Sequence, residues 1–211
     1  MIILGLSAAT NSLNEPTATT ALGDISAPQE VILPIASLNE PGHQAGSIFT
    51  DTTLSIGADH TCAILDDGSV SCWGEGSDGR LGNGATSDVN TPTLTSSLGT
   101  GRTAVAISSG DSHTCAILDD GSVSCWGEGG SGRLGISGTS NATTPTPTNS
   151  LGIGRTAVAI SSGYFHTCAI LDDGSVSCWG DGFYGQLGNG GTSIETTPTS
   201  TSNLGIGRTA A

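Results

Sequence analysis

The sequence predicts an all-β chain assembled from three tandem copies of one 53-residue unit. The first observation is exact self-similarity. His-Thr-Cys-Ala-Ile-Leu-Asp-Asp-Gly-Ser-Val-Ser-Cys-Trp-Gly stands at 60–74, 113–127 and 166–180 without a substitution, and Leu-Gly-x-Gly-Arg-Thr-Ala stands at 98–104, 151–157 and 204–210. A fixed period of this size marks a repeat architecture. The second is composition: 33 glycines among 211 residues imply many turns. The third is that no stretch shows the 3.6-residue apolar period of an amphipathic helix.

The elements follow in order. Residues 1–9, Met-Ile-Ile-Leu-Gly-Leu-Ser-Ala-Ala, are apolar and end in small residues. They read as the remnant of a signal peptide cleaved after Ala9 and starting further upstream; a buried strand is the other reading. Residues 10–52 are rich in Thr, Ser, Ala, Asn and Pro and read as a low-complexity linker with one strand at Val31–Ile35. The repeats occupy 53–211, with units at about 53–100, 103–153 and 156–206. In the first, Leu54-Ser-Ile-Gly57 replaces the fuller strand of the later copies. Residues 207–211 read as the opening of a fourth unit, so a truncated chain with further C-terminal blades is expected. No segment approaches the ~20 apolar residues that span a bilayer.

Within a unit four short strands are expected. In the second copy these are Thr103–Ile107, His113–Leu118, Ser122–Trp126 and a Thr/Pro-rich run around Thr144–Ser150. Pro145 and Pro147 suit an edge strand, since proline cannot donate to a ladder. Asp66-Asp67-Gly68 fits a three-residue hairpin loop with glycine in the left-handed region. Counting back from it, Leu65 faces Ser69, Ile64 faces Val70 and Cys62 faces Cys72. Cys62, Ile64, Val70 and Cys72 then share one face, and Ala63, Leu65 and Trp73 the other. A sheet apolar on both faces must be sandwiched between neighbours, as a propeller blade is. The fold class is therefore a partial β-propeller, about three four-stranded blades in an open arc, with apolar terminal faces left unprotected.

Charge excludes some functions. The formal net charge is −14, lysine is absent and the five basic residues are arginines. Such a surface cannot replace phosphate counterions, so nucleic acid is excluded as a partner, and anionic membranes are disfavoured for the same reason.

The chain resembles the regulator-of-chromosome-condensation repeat family, including its alpha-tubulin-suppressor-like members. The resemblance rests on Ser-Ser-Gly-x-x-His-Thr, Asp-Asp-Gly-Ser, Cys-Trp-Gly, Gly-Arg-Leu-Gly at 79–82 and 132–135, and Tyr-Gly-Gln-Leu-Gly at 184–188. It covers residues 53–211 and implies a propeller, usually of seven blades, of which this chain would hold fewer than half. The founding member's exchange activity on a small GTPase and its chromatin binding match no residue here. Secreted prokaryotic relatives that bind proteins, a β-lactamase inhibitor among them, are the nearer analogy.

The cysteine pairs Cys62–Cys72, Cys115–Cys125 and Cys168–Cys178 fall at non-hydrogen-bonded cross-strand positions, about 4.5 Å apart at Cα, which favours disulfides. Reduced cysteines packed as small hydrophobes are a second reading, and a zinc site built with His60 a third. His60, His113 and His166 are expected to bond backbone groups between strands, and Trp73, Trp126 and Trp179 to pack blade on blade. Arg102, Arg155 and Arg208 read as anchors for loop carbonyls or carboxylates. The Asp-Asp pairs at 66/67, 119/120 and 172/173 read as turn formers before calcium ligands or acid–base pairs. Asn141-Ala-Thr143 is a lone glycosylation sequon.

The copies differ mainly before each His-Thr and in the loop after each tryptophan, where the third carries Tyr164, Phe165, Phe183 and Tyr184. Together these would make a protein-binding hot spot; alternatively Tyr184 packs locally. No catalytic constellation stands apart from the repeated residues, and the sequence calls for neither cofactor nor metal. The resulting expectation is a non-enzymatic scaffold, extracellular or at the cell surface, that binds a protein or surface glycan through its inter-strand loops. An enzyme or metal-binding domain using the repeated His/Cys/Cys sets is the rival, and a fragment with no function of its own is the third reading.

Overall fold

The computed structural model describes residues 53–205 and 208–210. The readings placed on residues 1–9, on the linker 10–52 with its strand at Val31–Ile35, and on Gly207 and Ala211 lie outside the described residues.

Among the described residues twelve strands form three four-stranded antiparallel meanders. The first sheet comprises β1 (Leu54–Ile56), β2 (His60–Ile64), β3 (Val70–Gly74) and β4 (Val89–Leu94). The second comprises β5 (Ala104–Ser109), β6 (His113–Leu118), β7 (Val123–Gly127) and β8 (Ala142–Pro147). The third comprises β9 (Ala157–Ser162), β10 (His166–Leu171), β11 (Val176–Gly180) and β12 (Glu195–Ser200). Among the described residues no helix is long and apolar enough to cross a membrane.

Turn chemistry sets the hairpin register. The Gly68 amide donates to the Leu65 carbonyl over 3.0 Å, and Leu65 donates to Ser69 over 2.8 Å. Gly68 has φ +77°, a conformation glycine adopts without the Cβ penalty other residues meet. The Asp67 carboxylate accepts the Ser69 amide at 2.9 Å, closing the loop. Ile64 then opposes Val70, and Cys62 opposes Cys72, as the sequence predicts.

The two faces of each hairpin have different neighbours. Cys62, Val70, Cys72 and Leu81 of the first sheet form one core with Ala104, Ile107, Ala116, Leu118 and Trp126 of the second. Cys115, Ile117, Val123 and Cys125 of the second form the next core with Ala169, Leu171 and Trp179 of the third. The second sheet is thus covered on both sides, and every residue of β6 and β7 is buried. Strand β2, whose sequence β6 repeats, is only partly buried. Strand β5 lies between β1 and β9 along one edge, while β4, β8 and β12 diverge. This is the wedge arrangement of propeller blades in an open arc.

Three local features depart from the sequence reading. Strand β5 continues through Ser108 and Ser109, because they pair with Cys115 and Thr114. The outer strand starts and ends earlier than the Thr144–Ser150 run suggests. A register shift between Cys125 and Gly127 sets Gly127 against Ala142, so pairing is complete by Pro147. Short 3-10 turns, Ser77–Gly79 and Gly130–Gly132, stand where no helix is expected, each with a left-handed residue, Asp78 or Ser131. They sit against β8 and β12 of the next sheet and fill the outer gap of the wedge. The Ala210 amide donates to the Gly174 carbonyl over 2.9 Å, as Ala157 does to Gly121 and Ala104 to Gly68.

Candidate functional site

Each seam carries one polar relay. His60 Nε2 lies 2.8 Å from Thr114 Oγ1, and that hydroxyl donates to the Arg80 carbonyl over 3.2 Å. His113, Thr167 and Arg133 repeat it at 2.8 and 3.1 Å. With the threonine proton committed to the carbonyl, the histidine must donate from Nε2, which leaves Nδ1 unprotonated. Nδ1 of both histidines is buried with no partner among the described residues. Burial accordingly pushes His60 down to about 4 and His113 to about 3. The histidines therefore bond a threonine hydroxyl of the next blade, where the sequence reading expects backbone groups.

All six cysteines are paired as disulfides, 62–72, 115–125 and 168–178, with Cα atoms 4.1 Å apart. The thiolates that a His60/Cys62/Cys72 zinc site needs are thus consumed, and His60 Nε2 is engaged. Trp126 and Trp179 are enclosed at the two seams, and Trp126 Nε1 donates to the Arg80 carbonyl at 3.1 Å. Trp73, on the outer face of the first sheet, is half-buried.

At the hairpin end of the blades, Arg102 pairs with Asp119 and Asp120 at 3.2 and 2.9 Å, and Arg155 pairs with Asp172 and Asp173. Asp120 and Asp173 each accept their serine's amide at 3.0 Å and hydroxyl at 2.6 Å, which holds both carboxyls below the usual range. Arg208 donates its amide to the Gly205 carbonyl over 3.1 Å. Both ends of the Asn141 amide are occupied: Oδ1 accepts the Gly129 amide at 3.0 Å, and Nδ2 donates to Asp78 at 2.9 Å. The sequon asparagine thus ties two blades together.

The opposite end of the third blade carries the varied loops. Gly163–Phe165 joins β9 to β10, closed by the Gly163 amide on the His166 carbonyl at 2.8 Å. The loop after β11 is fastened to it where Asp181 donates to the Phe165 carbonyl at 2.9 Å. Phe183 donates its amide to the Asp181 carboxylate, and Tyr184 to the Gln186 side chain. Both loops are held, yet their rings project. Tyr164, Phe165, Phe183 and Tyr184 are 60, 40, 69 and 86% exposed. Tyr164 meets Phe165 edge-on at 4.2 Å, and Phe183 meets Tyr184 edge-on at 5.0 Å. The corresponding places in the second blade hold Asp111, Ser112, Gly130 and Ser131. Beside the first pair, Ile56–Ala58, Ser109–Asp111 and Ser162–Tyr164 line a shallow depression of about 310 Å³.

Arg80 and Arg133 are residues the sequence reading passed over as part of a motif. Both are buried. Arg80 pairs with Glu75 at 2.6 Å, and Arg133 with Glu128 at 3.0 Å. Arg133 also donates to the Gly130 carbonyl at 2.8 Å, and its guanidinium lies over the Phe165 ring at 4.6 Å. The available signal was an acid five residues before an arginine flanked by glycine, present in the first two copies and replaced by Gln186 in the third.

The Regulator of chromosome condensation (RCC1) repeat is matched by two family profiles, one at residues 52–80, 104–133 and 157–186, the other at 67–117 and 120–170. The Arabidopsis thaliana ultraviolet-B receptor UVR8 is 35% identical over 165 residues, 78% of this chain and 36% of the receptor. The human E3 ubiquitin-protein ligase HERC2 is 36% identical over 140 residues, 66% of this chain and 3% of the ligase. Among solved structures, Prp20p of Saccharomyces cerevisiae superposes with a TM-score of 0.64 at 20% identity, covering 72% of this chain and 38% of Prp20p. The chain thus spans about a third of the plant receptor and a small fraction of the ligase.

Proposed function

Because the chain belongs to the regulator of chromosome condensation repeat family, we propose that it is a non-catalytic scaffold that binds a partner protein at the loop end of its third blade. The observation that carries this reading is the set of four exposed rings on two loops tied to each other and to the sheet. Exposed aromatics on a rigid support lose little entropy on binding, which is why such residues dominate protein-binding hot spots. The copies are otherwise near-identical, so packing does not demand aromatic residues at these places. Within the family, the yeast structures concern Prp20p with its binding properties to Gsp1p and histones, and the yeast protein bound to Kap60. With a net charge of −14, this chain is expected to favour a partner of neutral or positive surface. Three disulfides support an oxidising setting, outside the cell or at its surface.

A photo-crosslinking side chain at Tyr184 tests the assignment, with fully exposed Ile153 as the control at the hairpin end. The expected result is one dominant protein adduct from position 184, lost when Tyr164, Phe165 and Phe183 are all changed to alanine, and none from 153. Equal labelling at both positions contradicts the site. Retention only on immobilised oligosaccharides replaces the protein partner with a surface glycan.

A further inference from the structure

The two seams inside the chain are one interface used twice, and among the described residues the outer sheets each leave half of it unmatched. We propose that the chain associates head to tail with a second copy of itself, the open face of the third sheet receiving the first sheet of the next copy.

The seam is a knob and a socket. Trp126 and Trp179 are the knobs. Their sockets are cut by Gly82 and Gly135, where an added Cβ would lie 2.7 and 2.9 Å from the indole nitrogen of the next blade. Gly188 keeps the same left-handed backbone, φ +64°, yet its nearest described neighbour is Thr201 at 3.6 Å. Trp73, identical in its surrounding sequence, is the half-buried knob, without a socket among the described residues. The apolar rim shows the same asymmetry. Leu118 and Leu171 are 3% exposed within the seams, and their counterpart Leu65 is 40% exposed. On the other face Ile117 is buried and its counterpart Ile170 is half-buried.

The polar relay matches as well. His60 and His113 find Thr114 and Thr167, whereas His166 and Thr61 have no such partner among the described residues. Docking a second copy with the internal geometry sets His166 against Thr61. The incoming β1 enters at positions matching 107–109, clear of those matching 102–104, which Arg208–Ala210 already hold. The hairpins 60–74, 113–127 and 166–180 are identical, while Gln186 stands in the outer loop where the internal seams have Arg80 and Arg133, so the open face of the third sheet keeps the hairpin part of the seam. The occupant is therefore argued from continuity with an interface the chain already makes. Such a contact is heterologous, so it closes into a ring or extends as a filament.

Sedimentation velocity of the 211-residue chain over a concentration series tests the proposal, with Leu65→Asp blocking the knob face and Ile170→Glu the socket face. Leu65 is exposed beside the hairpin loop, so its variant keeps the fold, as circular dichroism and three intact disulfides will show. Wild type is expected to populate multiples of the chain mass. Each variant alone should associate at least tenfold more weakly. Their equimolar mixture should recover species of two copies and none larger, since one knob and one socket survive. A wild-type monomer throughout overturns the proposal and assigns the faces to other segments of the same chain. Undiminished association of both variants, or a mixture no better than its components, overturns it equally.

Discussion

His113 Nε2 lies 2.8 Å from the Thr167 hydroxyl, across the boundary between the second and third blades. That hydroxyl passes its own proton to the Arg133 carbonyl. The relay joins strand β10 of the third blade to both strand β6 and the loop after β7 of the second, and the His60, Thr114 and Arg80 set repeats it one seam earlier. Its histidine and threonine sit at the same place in every copy, and only the blade's neighbours decide whether the bond forms.

Thr167→Val keeps the shape and removes the acceptor. A buried Nε2–H is then left unpaired, at a cost of about 1–3 kcal/mol. Thr61→Val makes the same chemical change where no such bond is made among the described residues of a single chain and should, in dilute solution, alter stability by less than about 0.5 kcal/mol. Equal losses for the two variants would count against the relay.

Acid should loosen the seams before it reaches the carboxylates. His60 and His113 stay neutral in the fold down to about 4 and about 3, against 6.5 for the ordinary group. Between those values the unfolded chain binds protons that the folded chain does not. Stability is therefore full above pH 6.5, declines as pH falls below it, and levels off near the folded values, with a slope of at most about 1.4 kcal/mol per pH unit for each histidine. Asp67, Asp120 and Asp173, whose carboxyls are held low by their serines, add losses of the same sign only below about 4. Urea titrations at pH 7.5, 6.0 and 5.0 should show the decline, and His113→Asn should flatten it. A level profile over that range contradicts the neutral, buried assignment.

Glycines 82 and 188 share a left-handed backbone and differ in what faces them. Alanine costs about 1 kcal/mol at either from the backbone alone. At Gly82 the methyl also meets the Trp126 indole, so Gly82→Ala should be the more destabilising by more than about 1 kcal/mol. Matched thermal unfolding of the two variants reads the difference.

Each disulfide closes an 11-residue loop, from Cys115 to Cys125 in the second blade. Cys115→Ala/Cys125→Ala should lower stability by roughly 2–3 kcal/mol on the chain-entropy account. Guanidinium titration checks the value, and full reduction of the wild type should move the midpoint in the same direction. A midpoint indifferent to reduction would mean that the pairs carry no stability.

Much of the fold was legible in the sequence because Asp66-Asp67-Gly68 dictates its own turn. From that turn, counting alone sets Cys62 against Cys72 and sorts Leu65 and Val70 onto opposite faces. What remained hidden depends on residues far apart in the chain. The histidine partner could not be read from His60, because Thr114 lies 54 residues away on another sheet. The end of β8 could not be read from its prolines, because a register shift at Cys125/Gly127 sets it. Arg80 and Arg133 stood in the sequence only as part of the Gly-Arg-Leu-Gly motif, since burial of an arginine depends on a cage formed by its own loop. The aromatic positions were visible as departures from the repeat, but their exposure was not, because a ring before a glycine packs or projects according to the next blade.

Amide hydrogen exchange, followed residue by residue by NMR in dilute solution, tests most directly whether neighbouring blades hold these hairpins. Segments 60–74, 113–127 and 166–180 have one sequence, so local propensity is identical and only their neighbours differ. The middle segment, covered on both faces, should exchange slowest, with protection well above that of the outer two. Equal protection in all three, or least protection in the middle one, would contradict stacking of sheet on sheet as the source of stability.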